Sequence, residues 1–457
     1  INDIPMNIYI MASSILTVLI SVLLFYYFLR KNEFSNNVCL FTSLLFLFSS
    51  SLLFHSHRHI MFVNYMPFLV ISLIGVWRYF EKKKSGLLIV NICLLILTSY
   101  YYSISGIIVV CLYALFYYLK KNPNISIQIL VKDGIYFLFR ILVGILLASI
   151  LLLPLIYIII NGRDSSTNAF SFSLLQPHID LSHLMYGTYG VGLTAILWVS
   201  LIYNIIYLPR NNRVISSLIM ILISFPIFNH LLNGNLYLNG KVWIPFLPLF
   251  LFLIASMIKD IRHHKFSWIW LFLGASGSAL ILMGFHDIKI YFIMEVIITI
   301  FLLFLYQRTK KYRYLIPIII ASVFISTINH QQDWLVTINE YKNQNSYYNY
   351  DVLQYINQDV SSLYRYQDDL SGANGINFSF ADLDYRTTLY SSTSNLHYWK
   401  NFYNTFNNND IYRNHFMLAQ TNNLFFQRFM GIRYLLTNQG PPFGYQKVKD
   451  YKDGSLY

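Results

Sequence analysis

Three imidazoles and a guanidinium fall within five residues at His55, Ser56, His57, Arg58 and His59, between two apolar runs of the chain. Such a set can grip a phosphate or pyrophosphate, with the planar fork of Arg58 matching two phosphate oxygens. Alternating histidines could instead ligate a metal, although no companion acid follows them as a zinc site would require. A hydrated connecting loop is the third reading. A second patch is Ser99 to Ser103, where Tyr100, Tyr101 and Tyr102 either anchor an aromatic belt or touch a sugar or lipid phosphate. The segment 161–189 carries Arg163, Asp164, His178, Asp180, His183, Tyr186 and Tyr189, and is long enough to fold a short amphipathic piece over a site. Finally, Asn233, Tyr237, Lys241 and Trp243 place amide, phenol, ammonium and indole at the entrance to an apolar run. The last two segments also read as plain connectors.

General-base chemistry needs an acid, and acids are scarce. Up to residue 330 they are Asp3, Glu33, Glu81, Asp133, Asp164, Asp180, Asp260, Asp287 and Glu295. None is paired as Asp-x-Asp, and the chain has no phosphate-binding glycine loop and no metalloprotease motif. Glu295 falls about a turn inside an apolar run, where an acid is costly and either pairs with a neighbouring helix or gates an ion.

The elements that must position these groups are apolar runs of bilayer-crossing length, about 20 residues each. Twelve are expected, near 7–29, 37–54, 60–80, 86–102, 104–119, 134–160, 190–208, 214–229, 242–258, 267–285, 290–306 and 314–328. Alternate connections carry eighteen cations: Arg30, Lys31, Arg78, Lys82, Lys83, Lys84, Lys120, Lys121, Lys132, Arg210, Arg213, Lys259, Arg262, Lys265, Arg308, Lys310, Lys311 and Arg313. The opposite connections carry Arg58, Arg163, Lys241 and Lys289. The positive-inside rule therefore puts the first set in the cytoplasm of a plasma-membrane protein, with residue 1 and the tail outside. Cys39, Cys93 and Cys111 all fall within the expected spans, so no extracellular disulfide is expected.

The composition agrees with a polytopic α-helical membrane protein: 56% hydrophobic, 18% aromatic, 12% charged, with a mean hydropathy of +0.48. The net charge of +13 is then mostly topological, which excludes nucleic acid as the expected partner and leaves the lipid bilayer. Past residue 330 the character changes. Residues 331–457 are rich in Asn, Tyr and acids, with a helix expected at 349–358 and strands near 375–381, 386–393 and 432–437, a small α+β extracytoplasmic domain following a membrane domain of residues 1–330. Its aromatic side chains either stack on sugars or belong to core and interface. The chain starts Ile1-Asn2-Asp3 without an initiator methionine, so an earlier crossing is expected upstream, and the tail ends directly after a strand-like stretch.

Several stretches resemble the YfhO family of bacterial membrane proteins. They are Leu45 to Ser50, His55 to His59, Tyr65 to Leu69, Arg78 to Lys84, Ser99 to Tyr102, the Asn233 to Trp243 loop, Leu389 to Thr393 and Met430 to Leu436, in the family's order. The resemblance implies a glycosyltransferase of the GT-C type. Its donor would be a sugar on a polyprenyl-phosphate (undecaprenyl-phosphate) carrier outside the cell, and its acceptor an envelope polymer such as lipoteichoic or wall teichoic acid. In that chemistry Arg58, His55, His57, His59 and Lys241 stabilise the leaving phosphate. Tyr100, Tyr101, Tyr102 and Trp243 hold the prenyl end or sugar, with Arg163, His183, Asn233 and Tyr237 lining the groove. Asp164 or Asp180 supports the acceptor. The family's catalytic acid is expected in the first large outer loop, which here would precede residue 1, leaving Asp3 as its last remnant. No cofactor is implied, although a divalent cation stays open. Rival readings are a transporter of polyprenyl-linked glycan or polymer and a non-catalytic envelope-assembly scaffold; no internal repeat of the kind transporters show is visible.

Overall fold

The computed structural model describes residues 6–58, 60–162, 172–187, 189–234, 238–283, 290–333, 350–358, 364–370, 388–390, 396–408, 416–418, 421–451 and 453–457. The chain divides into two compact units, Ile1–Leu152 with Ser166–Trp334 and Leu153–Ser165 with Leu335–Tyr457.

In the first unit the helices are α1 (Met6–Lys31), α2 (Asn36–Leu47), α3 (Ser50–Arg58), α4 (Met66–Lys82), α5 (Gly86–Thr98), α6 (Tyr100–Lys121) and α7 (Ile127–Leu147). After α8 (Ser149–Gly162), which runs into the second unit's segment, come α9 (Leu181–Tyr186), α10 (Ile196–Tyr207), α11 (Arg210–Ser224), α12 (Pro226–Leu232), α13 (Leu247–Ile261), α14 (Trp268–Met283), α15 (Ile290–Thr309) and α16 (Ile316–Asp333).

Among the described residues five stretches are long and apolar enough to cross a bilayer: Ile8–Lys31, Ile60–Lys82, Tyr100–Lys121, Gly240–Ile261 and Tyr291–Thr309. Counting each of three bent helix pairs as one crossing raises this to eight. Four shorter apolar helices, Gly86–Thr98, Ile196–Tyr207, Trp268–Leu282 and Tyr312–Ile328, fall on the remaining expected segments. Length and apolarity thus support five to eight crossings where the sequence alone leads to twelve.

The breaks have local causes. Phe48 and Ser49 part α2 from α3, which bend by 49°. Pro226 has no N–H to continue α11 and disfavours helix at Phe225 before it, which adopts φ −108°, ψ 114°, so α12 leaves at 86°. Ser99 is extended at φ −157°, which ends α5 and starts α6, so Tyr100 to Tyr102 form the first turn of α6 rather than the end of the preceding run.

Burial ranks the helices. In Gly240–Ile261 89% of the apolar window lies inside the protein, against 22% in Ile8–Lys31. The side chains of α1 at Ile8, Met11, Leu16 and Leu23 are exposed, a contiguous apolar surface that water would not tolerate and lipid does.

In the second unit, α17 (Tyr350–Ile356) lays Val352, Leu353 and Ile356 against Tyr366, Leu436 and Leu456 of a four-stranded sheet. The sheet order is β1 (Arg365–Asp368), β4 (Ile432–Thr437), β6 (Gly454–Leu456), β5 (Lys449–Tyr451), with β1 and β4 parallel and the other pairs antiparallel. A separate antiparallel pair joins β2 (Thr388–Tyr390) to β3 (Phe416–Leu418). Of the strands expected from sequence, 432–437 is β4, 386–393 is described only as β2, and 375–381 lies outside the described residues.

Candidate functional site

The start of α3 is clamped to the segment before α10. The Ser50 backbone N–H donates to the Gly192 carbonyl at 3.2 Å, and Ser51 Oγ donates to the Val191 carbonyl at 2.8 Å. Gly192 has φ +70°, and a Cβ there would lie 2.4 Å from Ser50 N, so both the backbone conformation and the close approach need glycine. One helical turn on, His55 is fully buried, its ring centre 4.6 Å from that of Phe62, 5.0 Å from Phe54 and 5.5 Å from Tyr189. The first histidine of the sequence cluster is therefore packed inside, in a helix and among aromatic rings.

Phe62 carries the aromatic wall onward. Its ring lies 5.1 Å from Tyr102, which stacks on Tyr65 at 5.1 Å and meets Tyr101 edge to face at 4.9 Å. Tyr101 then reaches the third segment by donating its hydroxyl to Asn233 Oδ1. Asn233 Nδ2 in turn donates to the carbonyls of Asn229 at 2.8 Å and Asn239 at 3.0 Å. Asn239 Oδ1 caps the 3-10 turn Gly240–Phe246 by accepting from the Lys241 backbone N–H at 3.0 Å. That turn aims the Lys241 ammonium over Tyr101, 4.8 Å from its ring centre, and 5.7 Å from that of Phe62.

Three helices share this end. Tyr65, Tyr101 and Lys241 sit at or just before the N-terminal ends of α4, α6 and the α13 stretch, while nearer the C-terminal ends Phe80 stacks on Tyr117 at 5.8 Å and Phe116 meets Phe252 at 4.8 Å. The three therefore run parallel. Their positive dipole ends point to the aromatic cluster, a favourable surrounding for an anion, and the loop cations Lys82, Lys120 and Lys259 lie at their other ends.

A second polar junction lies nearby in sequence. Glu295 of α15 accepts the Tyr186 hydroxyl of α9 and, on Oε1, the Ala195 N–H at 3.1 Å, at the start of α10. The acid inside an apolar run is thus paired with neighbouring elements. Tyr186 also meets Tyr291 edge to face at 5.6 Å.

From the residues singled out in the sequence, the structure brings together His55, Tyr101, Tyr102, Asn233 and Lys241. Tyr100 begins α6, and Trp243 is buried against Phe246 at 5.1 Å. Asp180 is exposed, its carbonyl accepting the Leu184 N–H in the first turn of α9, and His178 is exposed too. His57 and Arg58 close α3 and His183 lies in α9, with their side chains outside the described residues. His59, Asp3, Arg163, Asp164 and Tyr237 also lie outside them. Phe62 and Tyr65, which also build the aromatic cluster, are ring residues whose sequence positions carry no chemical signal beyond aromaticity, whereas Tyr189 belongs to the segment 161–189 singled out in the sequence. Among the described residues no three His, Cys, Asp or Glu side chains gather to hold a metal ion.

Apolar helices of bilayer-crossing length around a buried central helix, with polar groups gathered at helix ends, define a helical membrane protein. The chain belongs to the YfhO family: the family model described as bacterial membrane protein YfhO matches residues 1–455. No curated protein and no solved structure matches it.

Proposed function

We propose that this protein is a GT-C-type glycosyltransferase of the plasma membrane. It transfers a sugar from a polyprenyl-phosphate donor to an envelope polymer such as lipoteichoic or wall teichoic acid. The observation that carries this reading is the convergence of Lys241, His55, Tyr101 and Tyr102 from three separate segments, at the shared N-terminal ends of three parallel helices.

A lipid-linked donor brings its own leaving phosphate to the bilayer surface, so the protein must supply cationic and dipolar stabilisation there and needs no nucleotide. Lys241, with Arg58, His57 and His59, takes the phosphate. The phenols of Tyr100 to Tyr102 contact the sugar or the first prenyl unit, and Arg163, His183, Asn233, Tyr237 and Trp243 border the groove. Asp3, Asp164 and Asp180 are the carboxylates proposed for the acceptor side, and a divalent cation would act only as an auxiliary to the leaving phosphate. In this reading the aromatic cluster faces outward, as does the α+β unit, and the cation-rich helix ends face the cytoplasm.

The test is transfer from a labelled polyprenyl-phosphate sugar to crude envelope acceptor in membranes carrying the protein. Transfer that falls about a hundredfold in Lys241→Ala supports the reading. Equal transfer by Lys241→Ala removes the phosphate role of that residue, and donor binding without transfer by the wild type turns the reading to transport or scaffolding.

A further inference from the structure

At the far ends of α6 and α13 lies a cavity of about 560 Å³, within the range of roughly 300 to 1,000 Å³ typical of small-molecule sites. Its floor is aromatic: Phe252 meets Phe34 at 5.5 Å and Phe116 at 4.8 Å. Its rim is cationic, with Lys120 from α6, Arg210 from α11 and Lys259 from α13, joined by His263 and His264.

The single acid in the lining, Asp260, is already engaged, accepting the Tyr203 hydroxyl at 2.7 Å and lying 2.6 Å from His264 Nδ1. The lining amides Asn32 and Asn212 are each bonded to a side chain behind the cavity wall. Tyr113 donates to Asn32 Oδ1 at 2.8 Å, and Asn212 donates to Asn204 Oδ1 at 3.0 Å.

The three strong cations differ from their neighbour Lys121, which pairs with Glu81 at 2.7 Å. Arg210 donates to the Pro123 carbonyl at 3.0 Å and Lys259 to the Glu33 carbonyl at 3.4 Å, both neutral acceptors. Among the described residues Lys120, Arg210 and Lys259 have no carboxylate in ion-pair range. Orientation in the bilayer explains why loop cations lie at this end, but it gives no reason for cations from three helices to surround one concave space. Three strong cations against one engaged carboxylate around an aromatic floor fit an amphiphilic anion.

We propose that this cavity binds a phosphate ester, either the phosphodiester headgroup of an anionic lipid or a soluble phosphate compound. The assignment is independent of sugar transfer at the other end of the helices.

The experiment uses the full chain in phosphatidylcholine nanodiscs at constant ionic strength, with short-chain phosphatidylglycerol and inorganic phosphate as probes. The thermal midpoint is followed by tryptophan fluorescence. Saturable stabilisation is expected, weakened about tenfold or more in apparent affinity by Lys259→Gln and by Arg210→Gln, and retained by Lys259→Arg and by Lys84→Gln, an exposed cation outside the cavity. Stabilisation by the lipid probe alone identifies a headgroup; stabilisation by both probes identifies a soluble phosphate ligand. If neither probe stabilises, or if the cavity variants respond as Lys84→Gln does, the proposal is overturned. Lys120→Gln carries the same reading should either cavity variant fail to fold.

Discussion

The Lys241 ammonium lies 4.8 Å from the centre of the Tyr101 ring, and the same tyrosine gives its hydroxyl to Asn233, so one side chain ties the start of α6 to both flanks of the segment before α13. The two contacts can be separated. Tyr101→Phe keeps the ring under the ammonium and loses the hydroxyl, so donor binding is expected to stay within about threefold while stability falls by about 1 kcal/mol. Tyr101→Leu loses both contacts and should weaken donor binding as well. Thermal midpoints and donor titrations on the two variants check this; equal donor binding by Tyr101→Leu would show that the ring plays no part in placing Lys241.

Glu295 joins three elements, accepting from Tyr186 of α9 and from the Ala195 N–H at the entry of α10. Glu295→Leu removes both acceptors from a half-buried position, at a cost of about 1–3 kcal/mol for each donor left without its carboxylate. Glu295→Gln keeps one carbonyl oxygen but turns an amide N–H₂ towards the other donor, so its thermal midpoint in detergent should fall between wild type and Glu295→Leu. A Glu295→Leu protein as stable as wild type would mean that the carboxylate serves something other than this junction.

Much of this arrangement was legible in the sequence because hydropathy and charge act at the scale of whole helices. The cations that end α4, α6 and α13 imply a common direction for these helices without reference to any contact. What the sequence could not carry were local breaks and ring geometry. Phe48 and Ser49 part α2 from α3 inside a single expected crossing, and it is Ser99 rather than Ser103 that stops one helix and starts the next. His55 reads as a polar loop residue beside His57 and Arg58, yet its face of α3 turns inward to Tyr189 and to Phe62, a residue with no sequence mark of its own. In the tail, β1 pairs with β4 across more than sixty residues, a register that no local pattern encodes.

In the tail Asp450 accepts from Lys447 Nζ at 3.1 Å and from Ser455 Oγ at 2.5 Å. These bonds, Lys447 first, hold its carboxyl below the usual carboxylate value, while Asp450 raises the Lys447 ammonium. A lowered acid stabilises above its ordinary pKa, near 3.8, and the benefit is lost as pH falls through the lowered value. A raised base stabilises below its ordinary pKa, near 10.5, and loses the benefit as pH rises through the raised one. The contribution is therefore a plateau from about pH 5 to 9. Both groups are exposed, so it is small and screened. The stability profile of Asp450→Asn should lie slightly below wild type on the plateau and rejoin it in acid, and 0.5 M salt, a chosen test condition at about three times physiological ionic strength, should close the gap. A gap that survives salt would point to a structural role for the Ser455 bond.

Gly192 and Gly277 form a matched pair for testing what holds the aromatic cluster together. A Cβ on Gly192 would meet Ser50 N at 2.4 Å, Ser50 Cβ at 2.5 Å and Ser51 N at 2.7 Å, two of them backbone atoms at the start of a helix that cannot swing aside. Its φ of +70° adds roughly 1–2 kcal/mol for any side chain. Gly192→Ala must therefore push α3 away from the Val191 and Gly192 carbonyls and with it the turn that buries His55 among Phe54, Phe62 and Tyr189. At Gly277, inside α14, nothing lies within 4 Å of the added carbon, and alanine gains up to about 1 kcal/mol of helix propensity. Thermal unfolding of the two variants in the same detergent should thus move in opposite directions, with Gly192→Ala also losing donor binding. A Gly192→Ala protein with wild-type stability would show that α3 is not anchored at this crossing and that His55 owes its burial to the ring stack alone.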